Sequence, residues 1–143
     1  MKIKKPLLIV LGEPNSVFIE ILSKVLNKTT FKKKINYPII LIGSEKLIFS
    51  QLKSLKKKLS FETINEININ NYKLKNKIYL IDIKYNFKKP FEKITFKSQN
   101  YISRCFKVGL RYLNSGASDI IINGPISKKN FLKNKYPGVT EYI

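Results

Sequence analysis

The sequence predicts an α/β sandwich built on a mostly parallel sheet. Three observations carry that prediction. Short, fully apolar runs recur along the chain, as in Leu7 to Leu11 and Pro38 to Ile42, and such runs mark strands buried on both faces. Segments with apolar residues at helical spacing separate them, and that alternation is the signature of parallel strands joined by crossover helices. The chain has 143 residues, 43% of them hydrophobic, which suffices for one domain with its own core. We therefore treat residues 1–143 as a single α/β region.

The first strand, Leu7 to Leu11, is bounded by Pro6 and Gly12. Val17, Ile21, Leu22, Val25 and Leu26 follow at helical spacing, with Ser16 placed to cap their helix. Pro38 to Ile42 forms the second strand and Gly43 closes it. Ser44 then caps a helix carrying Leu47, Ile48, Leu52, Leu55 and Leu59. Phe61 to Asn71, with Ile64, Ile67 and Ile69 set among asparagines, reads as an irregular segment or a short strand. "KIYLIDI" from Lys77 to Ile83 is a clearer strand. Tyr85 to Lys97 contains Pro90 and reads as a loop.

A long helix is predicted from Ser98. Its apolar stripe is Tyr101, Ile102, Cys105, Phe106, Val108, Gly109 and Tyr112, and Asn114-Ser115-Gly116 ends it. "DIIIN" from Asp119 to Asn123 reads as a further buried strand. Gly124-Pro125 turns the chain, and Ser127 caps a short helix reaching Leu132. The runs Lys32-Lys33-Lys34 and Lys56-Lys57-Lys58 read as solvated faces.

Composition excludes several chemistries. There is no histidine, so Ser-His-Asp and Cys-His catalysis and a Cys/His zinc site are ruled out within this chain. Cys105 is the single cysteine, so no internal disulfide forms. No apolar run is long enough to span a bilayer, and the start of the chain lacks a cleavage-site pattern, so a cytoplasmic protein is expected.

The net charge is +19, yet only Arg104 and Arg111 are arginines. Arginine is the better reader of phosphates and bases, and the lysines are spread along the whole chain. The charge therefore reads as a compositional habit. It implies weak polyanion binding but neither a specific nucleic-acid partner nor a membrane partner.

In parallel α/β sheets, ligands sit beyond the carboxyl ends of the strands. Two turns occupy that position. "GEPNS" follows the first strand; Gly12 permits a tight turn, the next helix offers free N–H groups, and Glu13 is a candidate polar site residue. "NGPISK" follows the last, with Lys128 a point charge suited to a phosphate. Both also read as plain strand-to-helix connections. "YPGVTEYI" adds the hydroxyl of Thr140.

Together, "NGPISKKNF" and "YPGVTEYI" resemble a segment of the 4-hydroxythreonine-4-phosphate dehydrogenase family of pyridoxal phosphate synthesis. That segment reads Gly-Pro-[small or apolar]-x-Lys, a short helix, then Gly-His-Thr-Glu-[aromatic]. The family's N-terminal "Gly-[Asp/Glu]-Pro-Ala-Gly-Ile-Gly-Pro-Glu-Ile" is matched here by Gly12, Glu13, Pro14, Glu20 and Ile21.

The resemblance implies the N-terminal part of an isocitrate/isopropylmalate-dehydrogenase-like fold. It also implies NAD-dependent oxidation and decarboxylation of 4-phosphohydroxy-L-threonine, with NAD and a divalent metal ion as cofactors. The partners it implies are a small phosphorylated amino-acid substrate and, for the full-length enzyme, a second identical subunit completing a cleft between two domains. Thr140 and the residue before it would contact substrate, but Val139 stands at the family's histidine position and can neither hydrogen-bond nor titrate. The family's three metal-binding histidines and its nicotinamide region would follow Ile143, so this chain holds no metal ligand and is expected to be a truncated portion, inactive alone. The alternative is a non-catalytic α/β binding or assembly module derived from that family.

Overall fold

The computed structural model describes residues 5–65, 74–133 and 135–142. Its strands are β1 (Leu7–Val10), β2 (Ile39–Gly43), β3 (Glu62–Ile64), β4 (Ile78–Asp82) and β5 (Ile120–Asn123). Its helices are α1 (Phe18–Leu26), α2 (Thr29–Lys34), α3 (Glu45–Ser54), α4 (Phe96–Asn114) and the single turn α5 (Val139–Tyr142), with a π turn at Lys128–Leu132. The five strands form one sheet in the order β3-β4-β2-β1-β5, and every pairing is parallel. The expected layered α/β sandwich is thus present.

The apolar runs explain the layering. Ile39 to Ile42 are fully buried because side chains alternate between two covered faces. Leu8, Val10, Ile40, Ile42 and Ile81 face α4; Ile9, Ile39, Leu41 and Leu80 face α1 and α3. All seven residues of the predicted α4 stripe are buried. Gly109 on that stripe lets α4 lie close to the sheet, since a Cβ there would stand 2.6 Å from Ile121 Cδ1.

Ser44 caps α3 as expected, accepting the Leu47 N–H at 3.3 Å, while its own N–H donates to the buried Tyr101 hydroxyl at 2.8 Å. That bond ties the end of β2 to the middle of α4.

Several expectations are corrected. Helix α4 starts at Phe96, two residues before Ser98, because Thr95 and Ser98 form a reciprocal capping box. Helix α3 ends at Ser54, so Leu59 is buried beyond the helix rather than on it. The segment 29–34 forms α2, where the sequence showed only a charge run.

Val17 occupies the N-cap position of α1, and Ser16 sits one residue earlier, where its hydroxyl accepts the Phe18 N–H at 3.4 Å. That helix carries two apolar rows and buries only one. Ile19, Leu22 and Leu26 pack inward, whereas Val17, Ile21 and Val25 are 57%, 50% and 36% exposed. Strand β5 is an edge strand rather than a buried one, with Ile120 and Ile122 exposed. Ile64 belongs to β3; Ile67 and Ile69 lie outside the described residues.

Candidate functional site

The carboxyl ends of β1 and β5 lie side by side, paired in register from Leu7 and Ile120 to Val10 and Asn123. The two turns singled out in the sequence therefore meet. The Gly124 N–H donates to the Val10 carbonyl at 2.7 Å, and the Glu13 N–H donates to the Pro125 carbonyl at 2.9 Å.

Glycine is required at both contacts. Gly12 has φ +76°, and a Cβ on it would stand 2.5 Å from the Pro125 oxygen. A Cβ on Gly124 would collide with the Leu11 carbonyl and the Phe18 ring. These glycines let backbone approach backbone. The space beside them is filled by protein and does not form an open cradle for a pyrophosphate.

Glu13 fastens the pair. One carboxylate oxygen, Oε1, accepts the Ser127 N–H at 3.3 Å, while Oε2 is buried without a partner among the described residues. The residue is 5% exposed. Burial raises its pKa above the ordinary carboxylate range, partly offset by the Ser127 bond. The cavity it shares with Ser16, Gln51 and Tyr101 is only about 10 Å³, so Glu13 does not line an open substrate pocket.

Beyond the turn, the Ser127 hydroxyl accepts the Asn130 N–H at 3.3 Å and starts the π turn, and Lys133 ends it with φ 49°. The predicted short helix and its cap are thus present, in π geometry. Lys128 opens this turn and is exposed, with no ion pair to a described carboxylate. Its ammonium is available to an anion.

Val139 and Thr140 open α5, which packs against the π turn and so brings both candidate segments to one end of the fold. Thr140 is exposed; Val139 is half-buried and rests against the α4-side core.

The element that fixes this end was not singled out in the sequence. Tyr142 meets Phe131 edge-on with ring centroids 5.0 Å apart, and Phe106 of α4 and Tyr136 at 5.7 Å each. Aromatic contacts of this kind are worth about 0.5–1.5 kcal/mol each beyond area burial. The signal available was the aromatic spacing Phe131, Tyr136, Tyr142.

Two clefts flank the exposed side of α4 and share Asn100 and Ser103. The larger, about 640 Å³, is lined by Lys84, Lys97, Arg104 and Lys107 with no carboxylate. The Arg104 guanidinium is pinned there by the Lys84 carbonyl at 2.6 Å. The smaller, about 300 Å³, is walled by Phe96, Phe131, Tyr142, Lys133 and Lys135. Both favour anions.

The donors do not assemble a metal centre: no three Cys, Asp or Glu side chains cluster among the described residues, and the sequence has no histidine. Cys105 is not a nucleophile, because burial pushes its thiol up to about 12. No helix among the described residues is long and apolar enough to cross a membrane.

A five-stranded parallel sheet with its two candidate turns at the carboxyl edge defines the class: an α/β protein of the doubly covered, parallel-sheet kind. Within that class the chain belongs to the family described as "Pyridoxal phosphate biosynthetic protein PdxA", whose sequence model matches residues 34–143.

A Pasteurella multocida (strain Pm70) protein described as a 4-hydroxythreonine-4-phosphate dehydrogenase is 27% identical over 129 residues, 88% of this chain and 38% of that protein. The crystal structure of a 4-hydroxythreonine-4-phosphate dehydrogenase from Burkholderia phymatum matches with a TM-score of 0.75 at 20% identity, over 96% of this chain and 42% of that one. The same enzyme from Klebsiella pneumoniae matches with a TM-score of 0.70 at 18% identity, over 94% and 42%. At such identities the structures speak for the fold. The chain spans less than half the length of the relatives it matches.

Proposed function

We propose that this chain forms the N-terminal portion of an NAD-dependent dehydrogenase that oxidises and decarboxylates 4-phosphohydroxy-L-threonine in pyridoxal phosphate synthesis. The observation that carries the reading is the family match across residues 34–143, which contains the whole Gly124-to-Tyr142 edge.

In this reading Thr140 offers its hydroxyl to substrate and Lys128 places a positive charge beside the phosphate. The basic clefts beside α4 raise the local concentration of a phosphorylated substrate. Glu13 acts by holding the 124–127 turn in place. The chemistry such a reaction needs would come from NAD as hydride acceptor and from a divalent metal as Lewis acid. The residues described here do not hold that metal, and they take no step through it. The working enzyme is a cytoplasmic homodimer.

The test is spectrophotometric: NADH formation from 4-phosphohydroxy-L-threonine with added divalent metal. Residues 1–143 alone are expected to give none, and clear turnover by them overturns the reading. Val139→His in the complete enzyme is expected to lower KM with a smaller effect on kcat; an unchanged KM removes Val139 from the substrate contact.

A second reading is a non-catalytic binding or assembly module of the same family. Its support is Val139 itself, an apolar side chain resting on the core where the family places a histidine. A complete protein that folds and dimerises yet neither binds the phosphorylated substrate nor reduces NAD favours this reading.

A further inference from the structure

We propose that the outward face of α4 and the chain that follows β4 bind a small ligand carrying two or more linked phosphates. The site is separate from the Thr140 edge, and the proposal does not rest on the dehydrogenase reaction.

Lysine is this chain's habitual cation, so a lysine by itself marks nothing. Arginine does. Of 28 basic residues only Arg104 and Arg111 are arginines, and both stand on the exposed side of α4. They belong to one row: Lys97, Asn100, Arg104, Lys107 and Arg111 recur at steps of three and four, and all five are exposed. Arg111, at the far end, lies over the Tyr112 ring at 5.8 Å. A solvated helix face is ordinarily steadied by carboxylates three or four residues from its cations. This one has none, because no Asp or Glu occurs from Phe96 to Asn114.

The position of Lys97 is unfavourable by itself. It sits in the first turn of α4, where the helix dipole is positive and no acidic residue offsets it. A bound anion would be stabilised by both the dipole and the ammonium.

The row lines the cleft of about 640 Å³ whose other wall is Lys84, Tyr85 and Asn86. That volume admits a small molecule. The bond from the Arg104 guanidinium to the Lys84 carbonyl, at 2.6 Å, uses one of five N–H donors and fixes the plane of the others. The Lys84 ammonium is itself engaged by Asp82, so its charge is already compensated. No described carboxylate pairs with Lys97, Arg104 or Lys107. Lys97 and Lys107 are separated by about 15 Å of helix. A single phosphate cannot meet all three charges, whereas linked phosphates can.

The adjoining smaller cleft distinguishes two sources of such phosphates. It shares Asn100 and Ser103 with the first, and presents Phe96, 68% exposed, and Tyr136, 42% exposed. A nucleotide would stack its base there, and an inorganic phosphate chain would leave it empty.

The test is isothermal titration of the protein expressed from its own gene with inorganic tripolyphosphate and, separately, with ATP. Saturable binding of one tripolyphosphate per chain is expected. Arg104→Gln should weaken it about tenfold, through the loss of charge-assisted hydrogen bonds. Arg104→Lys should lose most of the same affinity, because a point charge does not reproduce the planar fork. Lys97→Gln and Lys107→Gln, which break no described hydrogen bond or ion pair, should each weaken binding several-fold. Lys33→Gln combined with Lys34→Gln removes more charge, but from α2, and should leave binding unchanged. Circular dichroism confirms that each variant is folded. Tighter binding of ATP than of tripolyphosphate, with the difference abolished by Phe96→Ala, assigns a nucleotide; equal or weaker binding of ATP assigns the phosphate chain alone.

The absence of saturable binding overturns the proposal. So does full affinity in Arg104→Lys, or a loss in the α2 double variant as large as that in Arg104→Gln, since either would mean diffuse charge rather than a site. An affinity for RNA that rises with its length and exceeds that for tripolyphosphate would replace the site with an extended nucleic-acid surface. Displacement of tripolyphosphate by 4-phosphohydroxy-L-threonine would make the cleft part of the dehydrogenase site and overturn its separateness.

Discussion

Replacing Glu13 with glutamine isolates what its buried carboxyl does. The side chain is 5% exposed, accepts one N–H from Ser127 at 3.3 Å, and leaves Oε2 without a partner among the described residues. Burial raises its pKa above the unfolded value of 4.5, so the folded protein holds the proton more tightly than the unfolded chain does. The sign follows. The carboxyl's favourable contribution is fully present below pH 4.5 and is lost as pH rises through the folded pKa. Each tenfold change in the acidity constant is worth about 1.4 kcal/mol.

Glu13→Gln keeps the acceptor for Ser127 and removes the titration. It also leaves an amide nitrogen unpartnered, which costs about 1–3 kcal/mol at every pH. The constant cost and the pH-dependent gain are separated by measuring the difference between variant and parent across pH. Urea unfolding followed by circular dichroism from pH 4 to pH 8 should show Glu13→Gln gaining on the parent as pH rises, with a plateau above the folded pKa. Glu13→Ala strands the Ser127 N–H and should cost about 1–3 kcal/mol at low pH. Parallel pH curves for parent and Gln variant would refute the argument, because they would mean the carboxyl titrates alike folded and unfolded.

Three further outcomes are expected. Gly12→Ala forces a Cβ into the left-handed region 2.5 Å from the Pro125 oxygen, and should cost more than about 1 kcal/mol in urea unfolding with the β1 and β5 turns exchanging hydrogen faster. Tyr101→Phe leaves the buried Ser44 N–H without its acceptor, and should cost about 1–3 kcal/mol by the same measurement. Tyr142→Ala removes three aromatic contacts at once, so limited proteolysis should cut faster between Lys128 and Tyr136 while the unfolding of the sheet changes little.

Much of the fold was legible because its strands and α4 obey a single period. The α4 stripe has one apolar row and one polar face, so its buried side follows from spacing alone. Helix α1 offers two apolar rows about a third of a turn apart. Periodicity cannot choose between them, and the choice is made by where β1 and β2 lie. Strand β5 was read as buried because Ile120-Ile121-Ile122 carries no polar alternation. The described residues cover only one of its faces, where Ile121 packs on the α4-side core while Ile120 and Ile122 stay exposed. The two misreadings therefore share one feature: each concerns apolar side chains that the described residues leave exposed.

The candidate site shows the opposite limit. The residues Gly12, Gly124, Ser127 and Thr140 were all visible in the sequence, yet glycine at a strand end has two physical uses that look identical there. It can let backbone approach a ligand phosphate, or it can let one backbone approach another. Here the Pro125 and Leu11 carbonyls fill the glycine space, so the second use holds at both positions. In the proposed reading, ligand contact at this edge falls to side chains placed further along, Lys128 and Thr140, and to whatever holds their turns still. Glu13 holds the first from beneath, through Ser127. Tyr142 holds the second by gripping Phe106 of α4. Each anchor crosses between segments distant in sequence, which is why spacing could point to the turns while leaving both anchors to be found in the fold.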